Sequence, residues 1–411
     1  MPPTPPFVNR SLATHRDASY ISYMTPISRR DLLKSAVAGA GAVAAAPMLN
    51  LGHFSLFAHS ADYSERAMRL VRESLVIDML SPLSLNFPLF AKWEAQPELF
   101  GPEQFRRFLD SGINVFHIAV GTGGPRAYDN TLDFVAKWNS FLAGQDERFM
   151  RIDSTGDFDR VKKSGKVGIV IGVQNSEHFR TPDDVTYFHG LGQRVSQLTY
   201  NTRNYIGDGS TERTNNGLSD FGVSIVDRMN KVGMAVDVSH CGEQTSIDAC
   251  GVSKKPVLIT HSNARALNPQ QPRTKSDDAI RAMAKSGGVM GITGVRMFVK
   301  PDEPTTVEHM LDHYDHVARL VGVEHLGVGS DIDLDGYDDM PPEENKRLRA
   351  GYKASYGFRD KIDIEGVDHP KRMYDLTEGL IRRKYSDDNI RGILGGNFRR
   401  VLGEIWAPAP S

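Results

Sequence analysis

The chain has 411 residues, 40% hydrophobic and 24% charged, with a formal net charge of −2. That balance is ordinary for a globular protein and shows no basic stripe for nucleic acid or an anionic membrane; two cysteines exclude a disulfide framework. The length admits either two domains or one large α/β barrel.

The first 23 residues carry no structural signal. Ser28-Arg29-Arg30-Asp31-Leu32-Leu33-Lys34 then precedes a mildly apolar, Ala- and Gly-rich run at 35–48. A twin arginine before a weakly hydrophobic stretch has the form of a twin-arginine export signal, and the run is too short to span a membrane. A surface helix with a chance arginine pair is the alternative. Met24 as the start would give a signal of usual length, and Ala58-His59-Ser60 before Ala61 fits the small-x-small cleavage rule better than Ala44-Ala45-Ala46 before Pro47. Residues 1–60 are therefore expected to form an extension read by the twin-arginine machinery, and residues 61–411 a single domain that is periplasmic or otherwise exported. This route carries folded proteins, so a cofactor can be loaded first.

Beyond Ser64, short apolar runs alternate with helical periodicity. The runs cover 75–80, 114–120, 167–174, 194–200, 233–240, 256–261, 287–293 and 325–331. Between them lie segments such as 221–232, where Val223, Ile225, Val226, Met229 and Val232 fall on one helical face. Eight such alternations predict a (β/α)8 barrel. Outer helices are expected at 305–318 and 370–383, and a long polar loop at 333–367. Cys241 and Cys250 lie nine residues apart, roughly 13 Å on a continuous helix, too far to bridge. Both are read as thiols, Cys241 as a small buried residue.

Barrels of this type place their chemistry at the C-terminal ends of the strands. Those ends hold Asp78 with Leu80, Gln174, Tyr200, His240, His261 and Asp331. A lone histidine at a strand end is more often a satisfied rim residue. A matched pair on consecutive strands, with a carboxylate nearby, suits a metal ion that activates water. Arg273, twelve residues after His261, is placed to clamp a substrate carboxylate, or else is a solvated surface side chain.

These residues resemble the renal (membrane) dipeptidase family of zinc metallopeptidases over 64–406. The motifs that carry the resemblance are Asp237-Val-Ser-His240, His261-Ser-Asn-Ala264, Gly329-Ser330-Asp331, Gly395-Gly-Asn-Phe398, Met229-Asn230 within 222–233, and Arg273 ahead of Asp277-Asp278. The resemblance implies a (β/α)8 metal-dependent hydrolase with two zinc ions bridged by a glutamate, a histidine that polarises the scissile carbonyl, an arginine that grips the substrate, and a homodimer. The chain departs from that pattern at four positions. Leu80 and Pro82 stand at the first-strand ligand positions, Gln174 at the bridging glutamate, and Tyr200 at the catalytic histidine.

The resulting expectation is an exported metallohydrolase of dipeptides or dipeptide-like substrates. Zinc, one ion rather than two, sits on His240 and His261 with Gln174 or Asp331 as third ligand; Glu177 and His178 are near enough in sequence to be further candidates. Asp331 acts as general base or ligand, Tyr200 stabilises the oxyanion, and Arg273 binds a carboxylate. The alternative is a barrel that binds or modifies a peptide-like ligand without metal. A structural or interaction module leaves the strand-end polar groups unexplained.

Overall fold

The computed structural model describes residues 63–407. The expected export signal with Arg29 and Arg30, and the expected boundary at 60/61, lie outside the described residues.

Nine strands form one parallel sheet: β1 (Ile77–Asp78), β2 (Val115–Val120), β3 (Phe149–Arg151), β4 (Val167–Val173), β5 (Gln193–Gln197), β6 (Ala235–Asp237), β7 (Val257–Ser262), β8 (Met290–Ile292) and β9 (Leu326–Val328). β1 pairs with both β2 and β9, and β2 pairs with β4 across Val115–Val120, so eight strands close into a ring. β3 is an addition, lying against the start of β4 through Phe149 and Val167. Six of the eight ring strands fall within the predicted apolar runs, and β5 and β7 overrun theirs by one residue, at Gln193 and Ser262; a strand covered by helices on one side and core on the other is largely apolar on both faces. β4 shows this directly, with all seven residues buried.

The barrel interior is not wholly apolar. His117 on β2 points inward, its Nδ1 donating to the Met79 carbonyl at 2.6 Å, while Nε2 is buried without a partner among the described residues. Gly172 on the adjacent β4 makes room for it, since a Cβ there would fall 1.9 Å from that Nε2.

The helix expected at 221–232 is Asp220–Val232, started by Ser219 Oγ accepting from Gly222 N and ended by Gly233 at φ 80°. Gly233 takes the left-handed conformation that a side chain would resist. The outer helices expected at 305–318 and 370–383 are Val307–Val321 and Arg372–Arg382. Arg372 starts the second of these and reaches into the barrel end, pairing with Asp78 at 3.1 Å, both fully buried. Asp78 also accepts from Ser330 N at 2.8 Å and Ser330 Oγ at 2.6 Å. Its carboxylate therefore ties β1 to the turn after β9, and it does not join the strand-end groups that face the cavity at the barrel mouth.

The stretch 333–367, read as a long loop, contains the helix Pro342–Ala350 and a turn of 3-10 helix at Ala354–Tyr356. The helix has no buried residue, so the apolar periodicity by which helices are recognised is absent. Its signals are proline at the start, Glu343 and Glu344 in the first turn, and Arg347 and Arg349 in the last.

Candidate active site at the barrel mouth

Gln174, Tyr200, His240 and Asp331 line a cavity of about 450 Å³ at the C-terminal ends of the strands, with Leu80 and Pro82 on its wall. His261 lies directly beneath, fully buried, its Nε2 2.9 Å from that of His240.

The tautomers of this pair follow from their outer partners. His240 Nδ1 lies 2.8 Å from Asn201 Oδ1, which also accepts from Ser210 Oγ at 3.2 Å. His261 Nδ1 lies 2.8 Å from Thr260 Oγ1, whose own hydrogen goes to Asp237 Oδ2 at 2.7 Å. Both Nδ1 atoms therefore donate outward, and each Nε2 is left with a bare lone pair. Burial, with Arg273 nearby, holds both imidazoles well below the usual histidine range, so no proton sits between them. Two lone pairs face each other across 2.9 Å. A cation between them removes the repulsion, and outward hydrogen bonds of this kind are what orient histidine ligands to metals.

The two facing imidazole nitrogens are a donor pair that a metal ion can take up. Two nitrogens bound tetrahedrally to zinc stand about 3.4 Å apart, so the pair needs to open by only a few tenths of an ångström. Gln174, whose amide Nε2 is 3.5 Å from His261 Nε2, is the third group at hand, and rotation of the amide presents its oxygen instead. Among the described residues no group of three or more His, Cys, Asp or Glu is placed to hold a metal. Leu80 and Pro82 offer nothing to a second ion.

Tyr200 stacks on His240 with ring centroids 4.2 Å apart and 18° between planes. Its hydroxyl meets that of Tyr352 at 2.5 Å, and burial pushes its pKa up to about 12, which keeps the phenol a hydrogen-bond donor. Tyr352, Tyr337 and Tyr356, all from the segment after β9, also face the cavity.

Asp331 is held at φ 62°, a conformation that costs a residue with a side chain on the order of 1 kcal/mol. Among the described residues its carboxylate has no hydrogen-bond partner. Burial pushes its pKa up to about 7, against the pull of Arg273. A raised folded pKa means that the stability this carboxyl contributes is complete below its unfolded value and is lost as the pH rises through about 7. In metal-free protein, Asp331→Asn is therefore expected to melt with wild type near pH 4, to melt progressively higher than wild type toward about pH 7, and to keep a constant advantage above it. Thermal melts across that range check the sign, and an advantage that shrinks with rising pH contradicts it.

Arg273, expected to clamp a substrate, is fully buried behind the histidines. Its Nη2 donates to the His261 carbonyl at 3.0 Å, its Nη1 to the Ser239 carbonyl, and its Nε is buried without a partner among the described residues. Lys275 does similar work next door, donating to the carbonyls of Val238 at 2.6 Å and Cys241 at 2.8 Å. These carbonyls belong to turns that have left the sheet and need donors. Two buried basic side chains thus brace the backbone on which His240 and His261 ride, and burial pushes the Lys275 amine down to about 7.

His178 is a satisfied core residue, bonded to Asn175 O at 3.1 Å and Gln193 Oε1 at 3.2 Å, and Glu177 accepts from Asn175 Nδ2 at 3.3 Å. Cys241 and Cys250 are free thiols. Three groups that complete the site were not identified from the sequence. Asn201 and Thr260 each adjoin a named residue, which is their one signal in the chain, and Tyr352 carries no local signal at all.

The family model for membrane dipeptidase (peptidase family M19) matches residues 64–349. Among similar relatives, Dipeptidase tcpJ of Claviceps purpurea is 29% identical over 304 residues, 73% of this chain and 65% of that protein. Dipeptidase verJ of Clonostachys rogersoniana is 30% identical over 248 residues, 60% of this chain and 57% of that protein. The chain thus spans less than two thirds of the length of either relative. An amidohydrolase from Pseudomonas aeruginosa superposes with a TM-score of 0.72 at 28% identity, covering 83% of this chain and 99% of that one. The probable dipeptidase PvdM from the same organism shares the fold at a TM-score of 0.70 and 18% identity, covering 85% and 100%. The chain belongs to the membrane dipeptidase family, peptidase family M19, as a member with apolar residues where its first strand meets the site.

Proposed function

We propose that this protein is an exported, single-metal hydrolase of the amide bond in dipeptides or dipeptide-like substrates. The observation that carries the reading is the pair of inward-facing imidazole lone pairs, 2.9 Å apart, on the floor of a cavity that also presents a carboxyl without a partner. When bound, a zinc ion supplies a Lewis acid for the scissile carbonyl and acidifies a water. His240 and His261 would hold the ion, and the Gln174 amide would add a neutral third donor.

The remaining roles fall to the chain's own groups. Asp331, with its carboxyl poised near neutrality, takes a proton from the attacking water and returns it to the departing amine. Tyr200 donates to the oxygen that becomes negative as the carbonyl is attacked. Arg273 sets a positive charge behind the floor, drawing a substrate carboxylate toward the histidines. Export rests on the Arg29-Arg30 motif, and the twin-arginine route suits a protein folded around its ion before transport.

Metal-reconstituted protein is expected to hydrolyse members of a broad dipeptide panel. Tyr200→Phe should lower kcat by about 10²- to 10³-fold, while the lost contact with the Tyr352 hydroxyl costs only about 1 kcal/mol of stability. Failure of the metal-loaded protein to cleave any dipeptide overturns the reading. It would favour a second one, a barrel that binds or modifies a peptide-like ligand without hydrolysis, to which the apolar Leu80 and Pro82 already point. Unchanged ligand binding by His240→Ala separates the two.

A further inference from the structure

A second cavity, of about 360 Å³, adjoins the active-site cavity and shares four lining residues with it, Pro82, Phe87, Ala119 and Val120. Its deeper wall is apolar and aromatic. Phe90 and Trp138 stack there at 5.0 Å between centroids and 29° between planes, with Phe134 and the buried Ile118 beside them. At its rim Lys137 is paired with Asp133 at 2.7 Å.

The residues shared by the two cavities are all apolar, and one of them, Pro82, stands at a position where this chain departs from the family pattern. Leu80, the other such position, lines the first cavity. A carboxylate in place of Pro82 would put a polar, hydrated group between the two spaces and raise the cost of carrying an apolar group past it.

We propose that the annex is the specificity pocket for an aromatic side chain of the substrate, so that the protein selects dipeptide-like substrates bearing a bulky aromatic residue over those with small side chains. The proposal rests on the peptide-like substrate assigned above and deepens it. The aromatic lining of Phe90, Phe134 and Trp138 suits a ring better than an alkyl chain, since aromatic pairs gain from offset and edge contacts beyond the area they bury.

The test compares Ala-Ala with Trp-Ala and Ala-Trp on the metal-loaded full chain. One Trp isomer is expected to exceed Ala-Ala in kcat/KM by about 10- to 100-fold, the range that burial of one large apolar side chain provides. Ala91→Trp places an indole in the annex from an exposed helix position, so folding is not at risk, and it should abolish the preference while leaving Ala-Ala turnover unchanged. Asn130→Trp does the same from an exposed position on the opposite helix. If the protein cleaves none of the three, calorimetric Kd values for the same peptides take the place of rates. A Trp preference in binding, lost in both filled variants, then upholds the annex while hydrolysis falls. Equal handling of all three peptides, or a preference that survives both variants, overturns it.

Discussion

Protein with His240 and His261 both changed to alanine is expected to carry no metal and to show no dipeptide hydrolysis above background, whereas wild type holds about one zinc per chain. Two neutral imidazoles and a neutral amide make a weaker site than one with added carboxylates, so the ion should be removable by moderate chelator. Asn201→Ala offers a graded control. It frees the His240 ring without removing a donor, and should weaken metal binding by about 10- to 100-fold. Because the two Nε2 lone pairs oppose each other at 2.9 Å, added zinc should raise the melting temperature of wild type and leave that of the double variant unchanged. Elemental analysis and melts with and without chelator check both. Two ions per chain, or metal retained in the double variant, contradicts the single-ion site.

Arg372→Ala is expected to destabilise the domain by about 3–5 kcal/mol, the usual consequence of stranding one member of a buried ion pair. Asp78, fully buried, would keep two donors from Ser330 and lose its only cationic partner within 4 Å among the described residues. Arg372 also donates to the Asp333 carbonyl at 2.8 Å and to Ser81 Oγ at 2.9 Å, so its loss loosens the ends of β1 and β9 together. At about 1–2 °C per kcal/mol for a domain of this size, the melting temperature should fall by roughly 5 °C. Asp78→Asn combined with Arg372→Gln should lose less than Arg372→Ala alone, because no uncompensated charge is left behind. A fall of under about 2 °C for the single variant would mean that water reaches the carboxylate.

Much of the fold was legible in the residues. Eight largely apolar runs between helical stretches mark a closed parallel barrel, because every ring strand is covered on both faces. Strand ends were legible from the same runs. Gln174 directly follows an apolar run, Tyr200, His240, His261 and Asp331 close runs that already carry polar residues, and the chain direction of a barrel puts all five on one rim. Conversely, the helix Pro342–Ala350 buries no residue and so wrote no period into the chain, and Tyr352, which meets Tyr200 at 2.5 Å, was hidden with it.

The sequence alone thus determined the barrel, the rim, and the loss of ligands at Leu80 and Pro82. Only the tertiary structure decided what each polar group faces. Asp78 stands at a strand end like His240, yet it turns to Arg372, 294 positions away, and becomes part of the scaffold. Arg273 spends its fork on backbone carbonyls rather than in the cavity, and the lone pairs of His240 and His261 are aimed by Asn201, Thr260 and Asp237 from three different segments. Periodicity records which face of an element is buried, a property of neighbouring residues. The direction of a proton or a lone pair is set by whichever partner the closed barrel brings within 3 Å, and that partner has no fixed distance along the chain.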